Sequence, residues 1–284
     1  MADHPYEVWD VFTDRPLAGN PLAVVRADAL DPDHMQGIAA EFGFSETSFV
    51  LPPEAGGTAR VRIFTPRQEV PFAGHPTIGT ALALAGRGPS LTLELGVGPV
   101  EVTVADGRAA LRNTTPLTRE FEVAPETVAA CAALGAPALR IETHPPVRAG
   151  VGLPFVIAEL TGDAALAAAR PVTDAFHEAE QRHGGPFHFD LLLYVREGHA
   201  VRARMFAPLD GIPEDPATGS AACALAALLA EIEGRDLTLD IRQGEAMGRP
   251  SRIEAAAELR DGRCVATRLA GSAVKVMEGR LCGF

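Results

Sequence analysis

The sequence predicts a duplicated α/β protein, two similar domains related by a pseudo-twofold axis on one chain. Three observations predict it. First, "RVRIFTPRQEVP" at 60–71 matches "RARMFAPLDGIP" at 202–213, with both arginines, the phenylalanine and both prolines in register. Second, "HPTIGTA" at 75–81 matches "DPATGSA" at 215–221 at nearly the same offset, and flanking pieces follow in order. "GNPLAVV" (19–25) resembles "GLPFVIA" (152–158), and "LTLEL" (91–95) resembles "LTLDI" (237–241). Third, β-branched runs of strand length alternate with capped helical stretches. Two repeats are too few for a solenoid, which needs about three to bury a continuous core. A chain of 284 residues holds two domains of ordinary size.

Taken in order, "YEVWDVF" (6–12), "PLAVV" (21–25), "RVRIF" (60–64) and "SLTLEL" (90–95) read as strands. "DPDHMQGIAAEFG" (31–43) reads as a helix with an Asp cap and a terminal Gly, and "HPTIGTALALAG" (75–86) as one with Pro just inside its start. "LTREFEVAP" (117–125) lacks a clear periodicity and follows a turn at Thr114–Pro116, so the crossing between domains is placed there. "EDPATGSAACALAALLA" (214–230) opens an apolar helix on small residues. The terminal "GSAVKVMEGRLCGF" has strand character without a counterpart and is expected to return to the first domain's sheet. The expected boundaries are 1–116 with 271–284 for the first domain and 117–270 for the second.

Composition narrows the functions. At 47% hydrophobic and 22% charged the chain is an ordered globular protein. A net charge of −12, with no Lys/Arg run longer than a pair, repels phosphate backbones and anionic membranes, so neither is an expected partner. The longest apolar run, Ala221–Ala230, is far short of a membrane span, and "MADHPYEVWDVF" lacks the basic and apolar regions of a leader; a cytoplasmic location is expected. Cys131, Cys223, Cys264 and Cys282 form no CxxC pair and are expected to be buried structural thiols in a reducing compartment. His177, His183 and His188 lack metal-ligand spacing, and no Walker lysine, GxGxxG turn after a first strand or GxSxG elbow occurs. No metal, no cofactor and no serine hydrolysis are expected.

The chemistry concentrates at two helix starts. In each repeat the strand "RxRxFxP" leads through a loop to a helix expected to open at Pro76 or Pro216, which places His75 and Asp215 at the N-caps. Thr218, Gly219 and Ser220 in one repeat, and Gly74, Thr77 and Gly79 in the other, are small enough to let a ligand approach. Unpaired first-turn amides and the positive dipole end make each start an anion site. Pseudo-twofold symmetry would turn both starts into one cleft, suited to a small carboxylate-bearing substrate. Glu46, between Ser45 and Thr47 in the apolar stretch "FGFSETSFV" (42–50), is the candidate acid/base, because desolvation there would raise its pKa toward the useful range. The alternative is an exposed edge-strand or capping glutamate, as Asp215 is either a plain cap or a substrate-positioning group. The matching stretch "FDLLLYV" (189–195) has no acid at the aligned place, so the machinery is asymmetric.

These residues carry a resemblance. "GNPLAVV", "FSETSFV", "RIFTPRQEVPFAGHPTIGTALAL", "GIPEDPATGSAA" and "QGEAMGRPS" (243–251), in this order from about Val11 onward, resemble the phenazine biosynthesis PhzF-like proteins. The resemblance implies an α+β, diaminopimelate-epimerase-like fold of two pseudo-symmetric domains, each a curved, mostly antiparallel sheet or barrel around a central helix. It implies a homodimer and a cofactor-independent isomerase that moves a proton on a dihydro-hydroxyanthranilate-like substrate. On that resemblance Glu46 is the general acid/base, His75 and Asp215 hold the substrate's polar groups, and Ser220, with Thr218 and the amides near Gly74 and Gly219, binds its carboxylate. Two other functions compete. An amino-acid epimerase or racemase of the same fold needs a thiol at each helix start, where this chain has none. A non-catalytic carboxylate-binding protein gains nothing from a desolvated glutamate.

Overall fold

The computed structural model describes residues 4–28 and 30–283; Met1–Asp3, Ala29 and Phe284, and with them the start of "MADHPYEVWDVF" and the end of "GSAVKVMEGRLCGF", lie outside the described residues. The chain divides into two compact units, Met1–Arg112 with Ala270–Phe284, and Asn113–Leu269.

The first unit comprises β1 (His4–Val11), β2 (Asn20–Arg26), α1 (Pro32–Phe42), β3 (Glu46–Leu51), β4 (Ala59–Phe64), β5 (Glu69–Val70), α2 (Gly74–Ala83), β6 (Ser90–Leu95), β7 (Gly98–Ala105) and β8 (Arg108–Asn113). β1 pairs antiparallel with β2, β2 parallel with β3, β3 antiparallel with β4, β4 parallel with β6, β6 antiparallel with β7, and β7 antiparallel with β8. The terminal strand, β18 (Arg263–Leu281 as a whole), pairs with β1 from His4↔Leu281 to Val11↔Ala273 and also with β8, closing an eight-stranded barrel. α2 runs through this sheet and is buried from Gly74 to Leu82. A helix enclosed on all sides must be apolar all round and slim, and "GHPTIGTALA" supplies small residues for this. α1 lies on the outside. Asp31 caps it by accepting from the His34 amide at 2.9 Å, Gly43 ends it at φ 63°, and Met35, Ile38 and Ala39 pack with Val25, Phe49 and Phe64.

The second unit repeats the plan with β9 (Thr118–Glu122), α3 (Pro125–Cys131), β10 (Leu139–Arg140), β11 (Val147–Gly150), β12 (Pro154–Leu160), α4 (Asp163–Ala168), α5 (Thr173–His183), β13 (Leu191–Glu197), β14 (Ala200–Ala207), β15 (Ile212–Asp215), α6 (Gly219–Glu233), β16 (Leu237–Gln243) and β17 (Ser251–Arg260). β11 pairs antiparallel with β12, β12 parallel with β13, β13 antiparallel with β14, β14 parallel with β16, and β16 antiparallel with β17, the same sequence of senses as in the first unit. α6 takes the inner place; every residue from Ala221 to Ala230 is buried. β12 is apolar from Pro154 to Ala158 and, Glu159 included, is buried throughout, as expected of a strand covered on both faces. The outer layer here is larger: α3 and α5 bury Val128, Cys131, Phe176 and Ala179 with Leu191 and Phe206 of the sheet and with Phe189 just before β13. This is the α+β architecture of two similar barrel-and-helix domains that the resemblance implied.

Three local expectations are corrected. Residues 117–125 are not an irregular crossing, since Thr118–Glu122 form β9 and pair with β11; sheet pairing overrides their weak pattern. Neither His75 nor Asp215 is an N-cap. α2 is capped by Ala73, whose extended backbone (φ −148°, ψ 141°) accepts from the Thr77 amide, so His75 is the second helical residue and Pro76 the third. Proline fits there because first-turn amides have no intrahelical acceptor. Asp215 is held in β15 by pairing with Met205, which keeps the chain extended past the point where its helix was expected, and Thr218 becomes the N-cap of α6. The third correction concerns the thiols: Cys131, Cys223 and Cys264 are buried, but Cys282 is exposed. Among the described residues no helix is long and apolar enough to cross a membrane.

Candidate active site

In the first unit the site is built on the start of β3 and the first turn of α2. Parallel pairing of β3 with β2 sets Glu46 opposite Leu22. Its carboxylate Oε2 lies 2.9 Å from Nδ1 of His75, whose side chain is 4% exposed against 21% for the glutamate. A carboxylate acceptor places the ring proton on Nδ1. Nε2 is buried and has no hydrogen-bond partner among the described residues. A buried polar atom without a partner costs stability, so this nitrogen is a vacant position for a polar group of a ligand. Gly74 precedes the histidine at the first helical position, where its amide and that of His75 have no intrahelical acceptor.

Thr77 and Gly79 serve the fold. The Thr77 hydroxyl donates to the Ala73 carbonyl at 2.7 Å, and a Cβ on Gly79 would stand 2.5 Å from Leu22 Cδ2 and 2.7 Å from Val11 Cγ2. The glycine lets α2 lie against β1 and β2, which corrects its reading as room for a ligand.

In the second unit Asp215, 8% exposed, ends β15, and its Oδ2 accepts from the Thr218 hydroxyl at 2.6 Å. Thr218 caps α6 by position, without a side-chain bond to the helix, and is followed by buried Gly219 and half-buried Ser220. The amides of Gly219, Ser220 and Ala221 point out of the first turn and carry the positive end of a fifteen-residue helix. Glu214, by contrast, is committed: Arg204 Nε and Nη2 grip its two oxygens at 2.8 and 2.7 Å, while Nη1 donates to the carbonyls of Leu166 and Ala169. Arg62 grips Glu69 in the same two-pronged way at 2.7 and 2.6 Å, so the duplicated arginines of "RxRxFxP" are bracing residues in both units.

The structure thus joins Glu46 with His75, and Asp215 with Thr218. Gly74 adjoins the first pair; Gly219 and Ser220 adjoin the second. Sequence reasoning missed Gln243, which is 1% exposed and bonded to the Asp215–Thr218 turn, although the stretch "QGEAMGRPS" that begins with it was visible as a motif.

Residues 9–279 match the family described as phenazine biosynthesis-like proteins (PhzC-PhzF). An uncharacterized isomerase of Mesorhizobium japonicum is 38% identical, with 99% of each chain covered. The trans-2,3-dihydro-3-hydroxyanthranilate isomerase of Pseudomonas aeruginosa is 36% identical, covering 98% of this chain and 99% of its own. Among solved structures, a PhzF-family phenazine biosynthesis protein of Bacillus anthracis superposes with a TM-score of 0.88 at 27% identity, over the full length of both chains. The chain belongs to the family of phenazine biosynthesis-like proteins, and it is an isomerase.

Proposed function

We propose that this isomerase moves a proton between carbons of a small, carboxylate-bearing cyclic substrate, of the dihydro-hydroxyanthranilate class named for its Pseudomonas relatives, with Glu46 as general acid/base and no cofactor. The observation that carries this reading is the Glu46–His75 contact, with the other ring nitrogen buried and unpartnered among the described residues. The ionised Glu46 takes a proton from one carbon, and the electron pair stays on the substrate, delocalised into its unsaturated system. Protonated Glu46 then returns the proton to a second carbon. The change is redox-neutral and consumes no co-reactant. In the first unit His75 orients the Glu46 carboxylate through Nδ1 and offers Nε2 to a polar substituent. In the second unit Asp215 is a positioning group, and the first amides of α6, with Ser220 and Thr218, are suited to a carboxylate. A homodimer belongs to the same proposal and is checked by sedimentation.

The two-thiol epimerase is disfavoured. Cys223, the cysteine nearest either helix start in sequence, is buried within α6, and burial pushes its thiol up to about 12, out of reach of a thiolate base near neutrality. The test of the Glu46 assignment is solvent-deuterium incorporation into trans-2,3-dihydro-3-hydroxyanthranilate, followed by NMR. Glu46→Gln is expected to keep substrate affinity within about tenfold, roughly 1.4 kcal/mol, and to abolish incorporation. Undiminished incorporation in that variant overturns the assignment.

A further inference from the structure

Gln243 ends β16, and its side chain bonds to one turn. Nε2 donates to the Asp215 carbonyl at 2.8 Å and to Thr218 Oγ1 at 3.0 Å, and Oε1 accepts from the Thr218 amide at 3.3 Å. The carboxamide therefore clasps both ends of the four-residue turn that enters α6. These bonds also have a direction. A threonine hydroxyl has one proton, and with its oxygen accepting from Gln243 that proton is sent to Asp215 Oδ2 at 2.6 Å, a distance typical of a bond to an ionised acceptor. Amide, hydroxyl and carboxylate form a relay of donors that orients Asp215 and keeps one of its oxygens engaged.

The backbone shows the same fit. Gly244, at φ +76°, lies so close beneath the turn that a Cβ would stand 2.7 Å from the Pro216 carbonyl oxygen and 2.4 Å from that of Arg249. The first unit has neither the clasp nor the close approach. The match of 91–95 with 237–241 sets Val97, 60% exposed, at the place of Gln243, and Gly98 at the place of Gly244, where a Cβ would meet none of the described residues within 4 Å. Bracing by a buried side chain is thus confined to the copy whose turn carries a carboxylate.

We propose that Gln243 is a positioning residue of the isomerase: through Thr218 it fixes the direction of the Asp215 carboxylate and the aim of the first amides of α6. The proposal rests on the assignment of Asp215 and that helix start to the substrate.

The experiment combines hydrogen–deuterium exchange of the segment 212–222 with steady-state kinetics on trans-2,3-dihydro-3-hydroxyanthranilate. Gln243→Met keeps the length of the side chain and removes its donors and acceptor. It is expected to speed exchange in that segment about tenfold while leaving α2 unchanged. It is also expected to lower kcat at least tenfold, about 1.4 kcal/mol in the barrier, with KM moving less than about threefold. Thr218→Val is expected to reproduce the loss of kcat and Thr218→Ser, which keeps the hydroxyl, to restore most of it, so the relay is tested even where Gln243→Met fails to fold. Unchanged exchange, or faster exchange with undiminished kcat, overturns the proposal. A wild-type protein that does not turn over this compound, with the segment loosened as expected in Gln243→Met, would instead count against the substrate assignment and leave the clasp standing.

Discussion

Nδ1 of His75 meets Oε2 of Glu46 at 2.9 Å across a separation of 29 residues, and the opposite ring nitrogen is buried with no partner among the described residues. The two ring nitrogens therefore have separable jobs, one toward the glutamate and one toward the substrate.

Replacing His75 by Asn tests this separation. The Asn amide can stand in for Nδ1 and keep the bond to Glu46, but nothing replaces Nε2. The expected outcome is a kcat about 10²-fold lower or worse, with little change in Tm. A kcat equal to wild type would remove Nε2 from the mechanism.

The two braced arginines are equivalent in the repeat but not in energy. Arg204 and Glu214 are 7% and 12% exposed, whereas Glu69, the partner of Arg62, is 42% exposed. Arg204→Met strands a buried carboxylate and is expected to cost about 3–5 kcal/mol. Arg62→Met releases Glu69 to water and is expected to cost roughly 1 kcal/mol or less. Denaturant unfolding of the two variants measures both, and equal losses would contradict the burial argument.

A pH-dependent stability follows from Asp190, whose Oδ1 is shielded from solvent without a partner among the described residues. Burial first, and the Asp210 carboxylate second, raise its pKa well above the ordinary value, with Arg148 opposing. A raised pKa means that the folded chain holds a proton that the unfolded chain releases above about pH 4. The resulting stability is fully present below the unfolded pKa and is lost as pH rises through the folded value. Asp190→Asn, a neutral isostere, is therefore expected to raise Tm at about pH 7.5 and to change it little near pH 3.5. The rise should be on the order of 2–4 °C per kcal/mol gained. Thermal melts at the two pH values check this, and a lower Tm at pH 7.5 would refute it.

Much of the fold was legible because it is written in local and repeated signals. Asp31 and Gly43 mark the ends of α1 as read from the residues, since caps act within one turn. The paired segments at 60–71 and 202–213 became β4 with β5 and β14 with β15, because a duplicated pattern of strands and turns closes the same way twice. β9 was not legible. Its pairing with β11 depends on a partner far along the chain, and Thr118–Glu122 carry little pattern of their own.

The candidate site divides similarly. Residue types and order pointed to Glu46, His75, Asp215 and the small residues at the helix starts, through the chemistry of carboxylates and first-turn amides. Tertiary structure alone decided how they are used. Strand register brought Glu46 against His75, the ladder from Met205 to Asp215 moved the start of α6 to Gly219, and the end of β16 delivered Gln243 to the turn. It also assigned Gly79 to packing and Glu214 to Arg204. The physical reason is range. Helix caps, turns and hydrophobic periods are set by neighbours in sequence and can be read there, whereas hydrogen bonds between strands and side chains tens of residues apart exist only after the barrel has fixed their register.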